Sequence, residues 1–253
     1  MLEYFLKYYS AIGITHFICI DNDSSDGSLE YLQGAKENIL LFHTNEEFKD
    51  NKMKWTTYVL DTYCKHRWCA IIDADELIYV KDLRVLIQQL NEEKANMCVF
   101  YLLDMYPRYT DRVYRKGESF LKHSNYYDKE TSTNNWWGYG LRKRVMNINV
   151  CLRKHAFFKY IFSGSYTLTT GCHQINTIVD TGCIKKSKQT RILLHFKFIR
   201  PDLKELFETR AREEQYWNKS IEYKAYCKRN NYAFYDPECS ACIDDIKPTF
   251  SFI

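Results

Sequence analysis

The stretch Trp68-Cys69-Ala70-Ile71-Ile72-Asp73-Ala74-Asp75-Glu76-Leu77-Ile78-Tyr79 decides how the rest of the chain is read. Its first half is a short apolar run without Gly or Pro, the signature of a buried strand. The run stops at three acids within four residues, Asp73, Asp75 and Glu76. Buried strands of this kind belong to sheets covered on both faces, and ligands collect beyond their C-terminal ends. An acid cluster there is costly unless a cation neutralises it. Carboxylate oxygens suit hard divalent ions, and Mg²⁺ is commonly shared between one or two carboxylates and substrate phosphates. The stretch therefore predicts a metal–diphosphate site. The plainer alternative is that Asp73 or Asp75 caps a turn.

Upstream, residues 2–12 carry Leu2, Phe5, Leu6, Tyr9 and Ile12 at helical spacing, stopped by Gly13. Residues 15–20 read as a strand ending at Asp21-Asn22-Asp23-Ser24-Ser25-Asp26-Gly27, a second acidic strand end. A helix from Ser28 to Gly34, a strand over 38–43 and a helix over 52–65 follow. Downstream, 82–92 reads as a helix and 97–103 as a strand running into Asp104-Met105-Tyr106-Pro107. This alternation predicts an α/β fold with a mostly parallel, doubly wound sheet.

From 108 to 190 the regularity fades. The loop Asn134-Asn135-Trp136-Trp137-Gly138 offers indoles for stacking on sugar rings, or a plug for the core. Short strands near 150–154 and 165–171 lead to Gly171-Cys172-His173, and 191–199, with His195 and Lys197, is a strong strand. A long helix from 202 to about 229 carries i,i+4 charge pairs that read as a solvated face. Residues 231–253 read as a loosely packed tail.

The chain has 253 residues with only nine Gly and four Pro, which argues against disorder and long linkers. A net charge of +4 is too weak to imply nucleic acid. No run approaches the roughly 20 apolar residues that cross a bilayer, and the N-terminus lacks the features of a signal peptide. Ten scattered Cys then read as mostly reduced thiols in a cytoplasmic protein, with peripheral membrane contact left open.

Residues 11–27, from Ala11-Ile-Gly13 through Asp21-Asn22-Asp23-Ser24-Ser25-Asp26-Gly27, resemble the opening of family 2-like glycosyltransferases of the GT-A fold. They are closest to the branch with a D-N-x-S-x-D-G turn and a later D-A-D-E, here Asp73-Ala74-Asp75-Glu76. Leu102-Leu103-Asp104-Met105-Tyr106-Pro107, Gly171-Cys172-His173, Leu193-Leu194-His195-Phe196-Lys197 and residues 210–226 resemble successive blocks of that branch. Members usually begin with a strand that helps hold the nucleotide base, whereas this sequence opens in the helix that follows it.

The resemblance implies a single GT-A-like domain over 1–230, with a nucleotide-binding half about 1–107, an acceptor half about 108–200 and the helix 202–229. It implies an enzyme that moves a sugar from a nucleotide-diphosphate donor to a glycan, lipid-linked or protein-linked hydroxyl, normally with inversion. A cation beside the leaving diphosphate, Mn²⁺ or Mg²⁺, would offset the developing charge. Asp75 is the first candidate ligand, with Asp73 on the metal or the ribose and His195 completing the shell. Lys197 would meet a phosphate oxygen. Asp21 and Asp23 would contact base or ribose, although the same residues favour turns. Asp104 is the candidate general base, and an acid capping the turn before Pro107 is its plain alternative. His173 would touch donor sugar or acceptor, or make a structural hydrogen bond. Trp136 and Trp137 would face the acceptor.

Two other readings compete. Cys239-Ser-Ala-Cys242 and the group Cys64, His66 and Cys69 offer zinc donors with poor spacing. The chain could also be a non-catalytic nucleotide-sugar or carbohydrate-binding relic lacking the first strand.

Overall fold

Helix α1 (Leu2–Ala11) buries Leu6 and Tyr9 on one face and ends where Gly13 takes φ of 111°, a left-handed conformation open to glycine. It belongs to a computed structural model that describes residues 1–109, 113–130, 138–161, 166–169, 173–177, 183–200, 202–213, 221–228 and 232–246. Strand β1 (Phe17–Asp21), helix α2 (Ser28–Gly34) and strand β2 (Ile39–His43) form a right-sized β–α–β unit, with β1 and β2 parallel from Phe17↔Ile39 to Asp21↔His43. Helix α3 (Phe48–Tyr63) leads to β3 (Trp68–Ala70), and the acidic turn leads to β4 (Glu76–Ile78). Helix α4 (Leu83–Glu92) starts at Asp82, whose side chain accepts from the Arg84 amide at 2.7 Å. Strand β5 (Met97–Asp104) is buried along all eight residues.

The irregular region supplies α5 (Phe120–His123), β6 (Tyr126–Asp128), α6 (Gly140–Met146), β7 (Arg153–Lys159), β8 (Tyr166–Leu168) and β9 (Ile175–Thr177). Strand β10 (Lys186–His195), helices α7 (Leu203–Glu213) and α8 (Ile221–Cys227) and strand β11 (Ser240–Cys242) follow. The result is a mixed α/β architecture. Its largest sheet has the order β3-β7-β5-β10-β4.

The sheet corrects the expectation of mostly parallel strands. β5 and β10 are parallel, but β7 runs antiparallel to both β3 and β5, and β4 runs antiparallel to β10. The two reversed strands have local causes: β7 arises from the irregular region, and β4 is the short return of the chain after the acidic turn. The sheet also curls. Lys154 of β7 reaches Glu76 of β4 at 2.5 Å, although three strand spacings separate those strands by about 14 Å in a flat sheet.

Edge strand β4 is covered by α1. The Tyr9 hydroxyl accepts from the Ile78 amide at 3.0 Å and donates to the Glu76 carbonyl at 3.1 Å, while Tyr8 donates to the Ile78 carbonyl at 2.6 Å. Leu77, Ile78, Leu193 and Leu194 are fully buried beneath, each worth about 1.5–3 kcal/mol of transfer energy.

The single long helix expected from 202 to 229 is instead two described helices folded against each other. The rings of Phe207 and Tyr226 lie 4.7 Å apart, whereas a continuous helix would separate those residues by about 28 Å along its axis. Nor is residue span 232–246 a loose tail. Phe234 and Ile243 are buried, and β11 pairs with β6 from Ser240↔Asp128 to Cys242↔Tyr126. Among the described residues, no helix is long and apolar enough to cross a membrane.

Candidate functional site

Strand register sets the centre of the site. Across β4, β10 and β5, Glu76 is paired with His195 and His195 with Asp104. The amide of Phe196 then donates to the Asp75 carbonyl at 2.7 Å, which pins the acidic turn beside the end of β10. The turn is self-braced. The Glu76 amide donates to the Asp73 carbonyl at 2.9 Å, and the Glu76 carboxylate accepts from the Asp73 amide at 3.0 Å.

The acids do not act as one cluster. Lys154, 1% exposed, places its ammonium 2.5 Å from Glu76 and 3.1 Å from Asp73, and Lys52 lies 3.1 Å from the other Asp73 oxygen. Burial opposes ionisation of Asp73, but Lys154 and then Lys52 outweigh it and hold its carboxyl well below the usual range. Burial pushes Glu76 upward, with Lys154 working the other way. Lys154 itself is kept charged, because Asp73 and Glu76 outweigh its own burial. Asp73, expected on the metal or the ribose, therefore has both oxygens committed to lysines.

Asp75 keeps 31% of its side chain exposed, and its Oδ2 faces Nε2 of His195 at 3.6 Å. On its other side His195 places Nδ1 2.7 Å from Asp104 Oδ1. Asp104 is buried, which opposes its charge, but the Arg142 guanidinium and the His195 hydrogen bond hold its carboxyl below the ordinary range. An ionised Asp104 can only accept, so Nδ1–H donates to it, and Nε2 turns either a lone pair or a second proton toward Asp75. A second proton makes an ion pair with Asp75, whereas a lone pair opposite the carboxylate leaves room for a cation or a bridging water between them.

Behind Asp104 stands a second buried layer of charge. Arg142 donates from Nε to Asp104 at 2.7 Å and from Nη1 to Glu222 at 3.2 Å. Glu222 also receives Lys197 at 3.1 Å and the Tyr226 hydroxyl. Burial raises the Glu222 carboxyl, but Lys197 and Arg142 outweigh it and carry it far down. Lys197, expected on a phosphate, is thus held by Glu222 and lies over the rings of Tyr223 and Tyr226, at 4.9 and 5.4 Å from their centroids. The buried Nη2 of Arg142 has no hydrogen-bond partner among the described residues.

A cleft of about 2370 Å³ opens over these groups, larger than a fitted small-molecule pocket of roughly 300–1,000 Å³. Asp73, Asp75, Arg142, His173, His195 and Lys197 all line it. So do residues 17–21 and 68–73, from β1 and β3. Among the described residues β1 pairs only with β2 and β3 only with β7, so each turns one open edge to this space.

The other expected residues divide. Asp21 lines the cleft but is buried and already accepts from the Ser24 amide at 3.3 Å, with His43 Nδ1 3.0 Å away. Burial opposes its charge, and those two contacts keep its carboxyl lowered. Asp23 is exposed at φ of 55° in the turn and does not line the cleft. His173 does, and burial together with the charge of Lys154 pushes its imidazole down to about 3. Trp136 and Trp137 lie outside the described residues. Among the described residues no three His, Cys, Asp or Glu side chains stand together as a metal group, either at Cys64, His66 and Cys69 or at Asp73, Asp75 and His195.

Lys154, Arg142 and Glu222 are the residues that the sequence reading missed. Lys154 left a trace, since it sits in an apolar stretch with Leu152, Ala156, Phe157 and Phe158, which are all buried. Arg142 and Glu222 left none, because a charged residue on a helix reads as solvated until its neighbours are known. No family model matches the chain, and no curated protein matches it.

Proposed function

We propose that the chain is a metal-dependent glycosyltransferase of GT-A type that transfers a sugar from a nucleotide-diphosphate donor to a hydroxyl acceptor. The observation that carries this reading is the facing pair Asp75 Oδ2 and His195 Nε2 at 3.6 Å, with His195 held from behind by Asp104. Two cis ligands of one octahedral divalent ion, each about 2.1 Å from it, lie about 3.0 Å apart, so the pair at 3.6 Å would close by a few tenths of an ångström around such an ion. A carboxylate beside an imidazole is a donor set that suits Mn²⁺ better than Mg²⁺, which prefers oxygen ligands alone. With two protein ligands, coordination positions remain for diphosphate oxygens and water, as such ions prefer. When bound, the ion would offset charge building on the leaving diphosphate.

The chain's own groups take defined parts in this reading. Asp104 fixes the tautomer and orientation of His195, a carboxylate–histidine arrangement that supports ligating imidazoles. Arg142 lines the cleft and keeps one buried donor, Nη2, unpartnered among the described residues, so a phosphate oxygen would meet it only after the side chain shifts. Lys154 and Lys52 hold Asp73 and the turn in shape. Asp104 is a positioning residue here rather than the general base.

That reassignment also favours a second reading, a binding protein that holds donor and metal without turnover, because the best-placed base is already paired. Thermal shifts with UDP-, GDP- and dTDP-sugars, with and without Mn²⁺, test the shared part. A matched donor at a hundred times its Kd adds about 2.7 kcal/mol. Asp75→Ala should abolish the Mn²⁺-dependent shift while leaving the unliganded melting temperature nearly unchanged. A retained shift removes Asp75 from the site. Release of nucleoside diphosphate in the presence of an acceptor panel separates transfer from binding.

A further inference from the structure

Cys64 and Cys69 flank the turn that joins α3 to β3. Cys64 caps the C-terminus of α3 and Cys69 sits inside β3. The turn is tightly held: the Arg67 amide donates to the Cys64 carbonyl at 3.0 Å, and His66, in the left-handed region at φ of 61°, donates to the Tyr160 carbonyl at 2.7 Å. This folding brings the Cys69 sulphur to 3.7 Å from the Cys64 carbonyl oxygen and 3.5 Å from that of Arg67. The Cys69 thiol thus lies beside the backbone of Cys64, and each thiol perturbs the ionisation of the other. Both are half-buried, and both line the large cleft.

The chemistry of the pair is asymmetric. The Cys69 thiol, and to a smaller degree the Arg67 guanidinium, stabilise a Cys64 thiolate against the burial that opposes it, so the Cys64 thiol is shifted down. The same contact and burial push Cys69 up. Elsewhere burial pushes Cys19 to about 11 and Cys98 to about 12, which leaves them inert. A lowered, reachable thiol with a second thiol against it is the arrangement of a redox-sensitive site.

We propose that Cys64 and Cys69 form a reversible dithiol–disulfide site whose oxidant is a small disulfide of the glutathione type. The Cys64 thiolate attacks one sulphur of the oxidant, and a thiolate leaves carrying the electron pair of the broken S–S bond. Cys69 then gives up its proton and attacks the Cys64 sulphur, expelling the second thiolate. The two cysteines lose two electrons and two protons, and the small disulfide becomes two thiols. The new bond closes a six-residue ring that locks the end of α3 to the start of β3, the strand that runs into Asp73. This inference does not depend on the glycosyl-transfer reading.

The test equilibrates the full native chain with glutathione and glutathione disulfide at several ratios, quenches with N-ethylmaleimide and maps peptides by mass spectrometry. The expected result is a Cys64–Cys69 cross-link, two hydrogens lighter than the dithiol, whose fraction follows the redox ratio and reverses with dithiothreitol. Cys69→Ser should stop at a glutathione adduct on Cys64, and Cys64→Ser should give no adduct at Cys69. The proposal fails if the wild-type chain forms no 64–69 cross-link at any ratio. It also fails if exposed Cys183 or Cys227 is modified in the Cys69→Ser chain while Cys64 stays unmodified. Circular dichroism of each variant confirms that the comparison is between folded chains.

Discussion

Asp104 shows how a single residue changes meaning once its neighbours are known. Read from the chain it ends a buried strand before Pro107 and invites a role in proton transfer. In the fold its two oxygens meet His195 at 2.7 Å and Arg142 at 2.7 Å. Asp104→Asn should therefore weaken Mn²⁺-dependent donor binding by about 10- to 100-fold, the usual cost of removing a group that orients a ligand. Calorimetric titration measures it, and an unchanged affinity in a folded variant contradicts the positioning role. Lys154 makes the opposite case, a residue whose role is structural at the heart of the site. Lys154→Met leaves Asp73 and Glu76 facing each other without their shared cation. Breaking a buried pair from one side costs about 3–5 kcal/mol. The double variant Lys154→Met/Glu76→Gln should recover part of that loss in urea unfolding, since one stranded charge is gone. Equal destabilisation of single and double variants would place the cost elsewhere.

At the scale of elements, most boundaries were legible. Helix α2 runs from Ser28 to Gly34 as the turn signals require, and β2, α4 and β5 fall within a residue or so of their expected spans, because periodicity and capping act locally. What failed was continuity and direction. Charge pairs continue through 202–229 as in one helix, yet Phe207, Tyr223 and Tyr226 are all buried against one another. Three aromatics that cannot all face solvent bend the chain back, and no local rule shows where. The α1–β4 contact is likewise tertiary. Tyr9→Phe leaves the buried Ile78 amide without its acceptor and should cost about 1–3 kcal/mol. Tyr8→Phe removes one donor at a partly exposed site and should cost less. The difference in urea midpoints at constant slope reports it, and equal midpoints would mean that Tyr9 does not brace the edge.

The molecule as a whole carries an acid sensitivity built from buried imidazoles. His155 is fully buried and accepts from the Ile175 amide at 3.3 Å, and burial pushes it down to about 3, as it does His173. Both histidines are neutral in the folded chain at pH values where the unfolded chain binds protons, below about 6.5. The unfolded state then takes up more protons, so stability falls as pH drops from about 6.5 toward 3. The slope should approach about 1.4 kcal/mol per pH unit for each histidine. Urea unfolding at pH 7, 5.5 and 4.5 measures it, with His155→Gln expected to flatten the dependence. A slope that is unchanged in that variant would assign the acid sensitivity to other groups.

The sequence by itself determined the alternation of helices and strands, the acids at the strand ends, and the places where Gly13 and Gly34 stop helices. Those features depend on side-chain period and backbone preference over a few residues. Tertiary structure decided that β7 and β4 run against their neighbours, that the sheet curls until Lys154 meets Glu76, and that Arg142 and Glu222 stand behind His195. Each of those outcomes depends on which distant charge or ring fills the space left by another, and a linear pattern does not record which partner that will be.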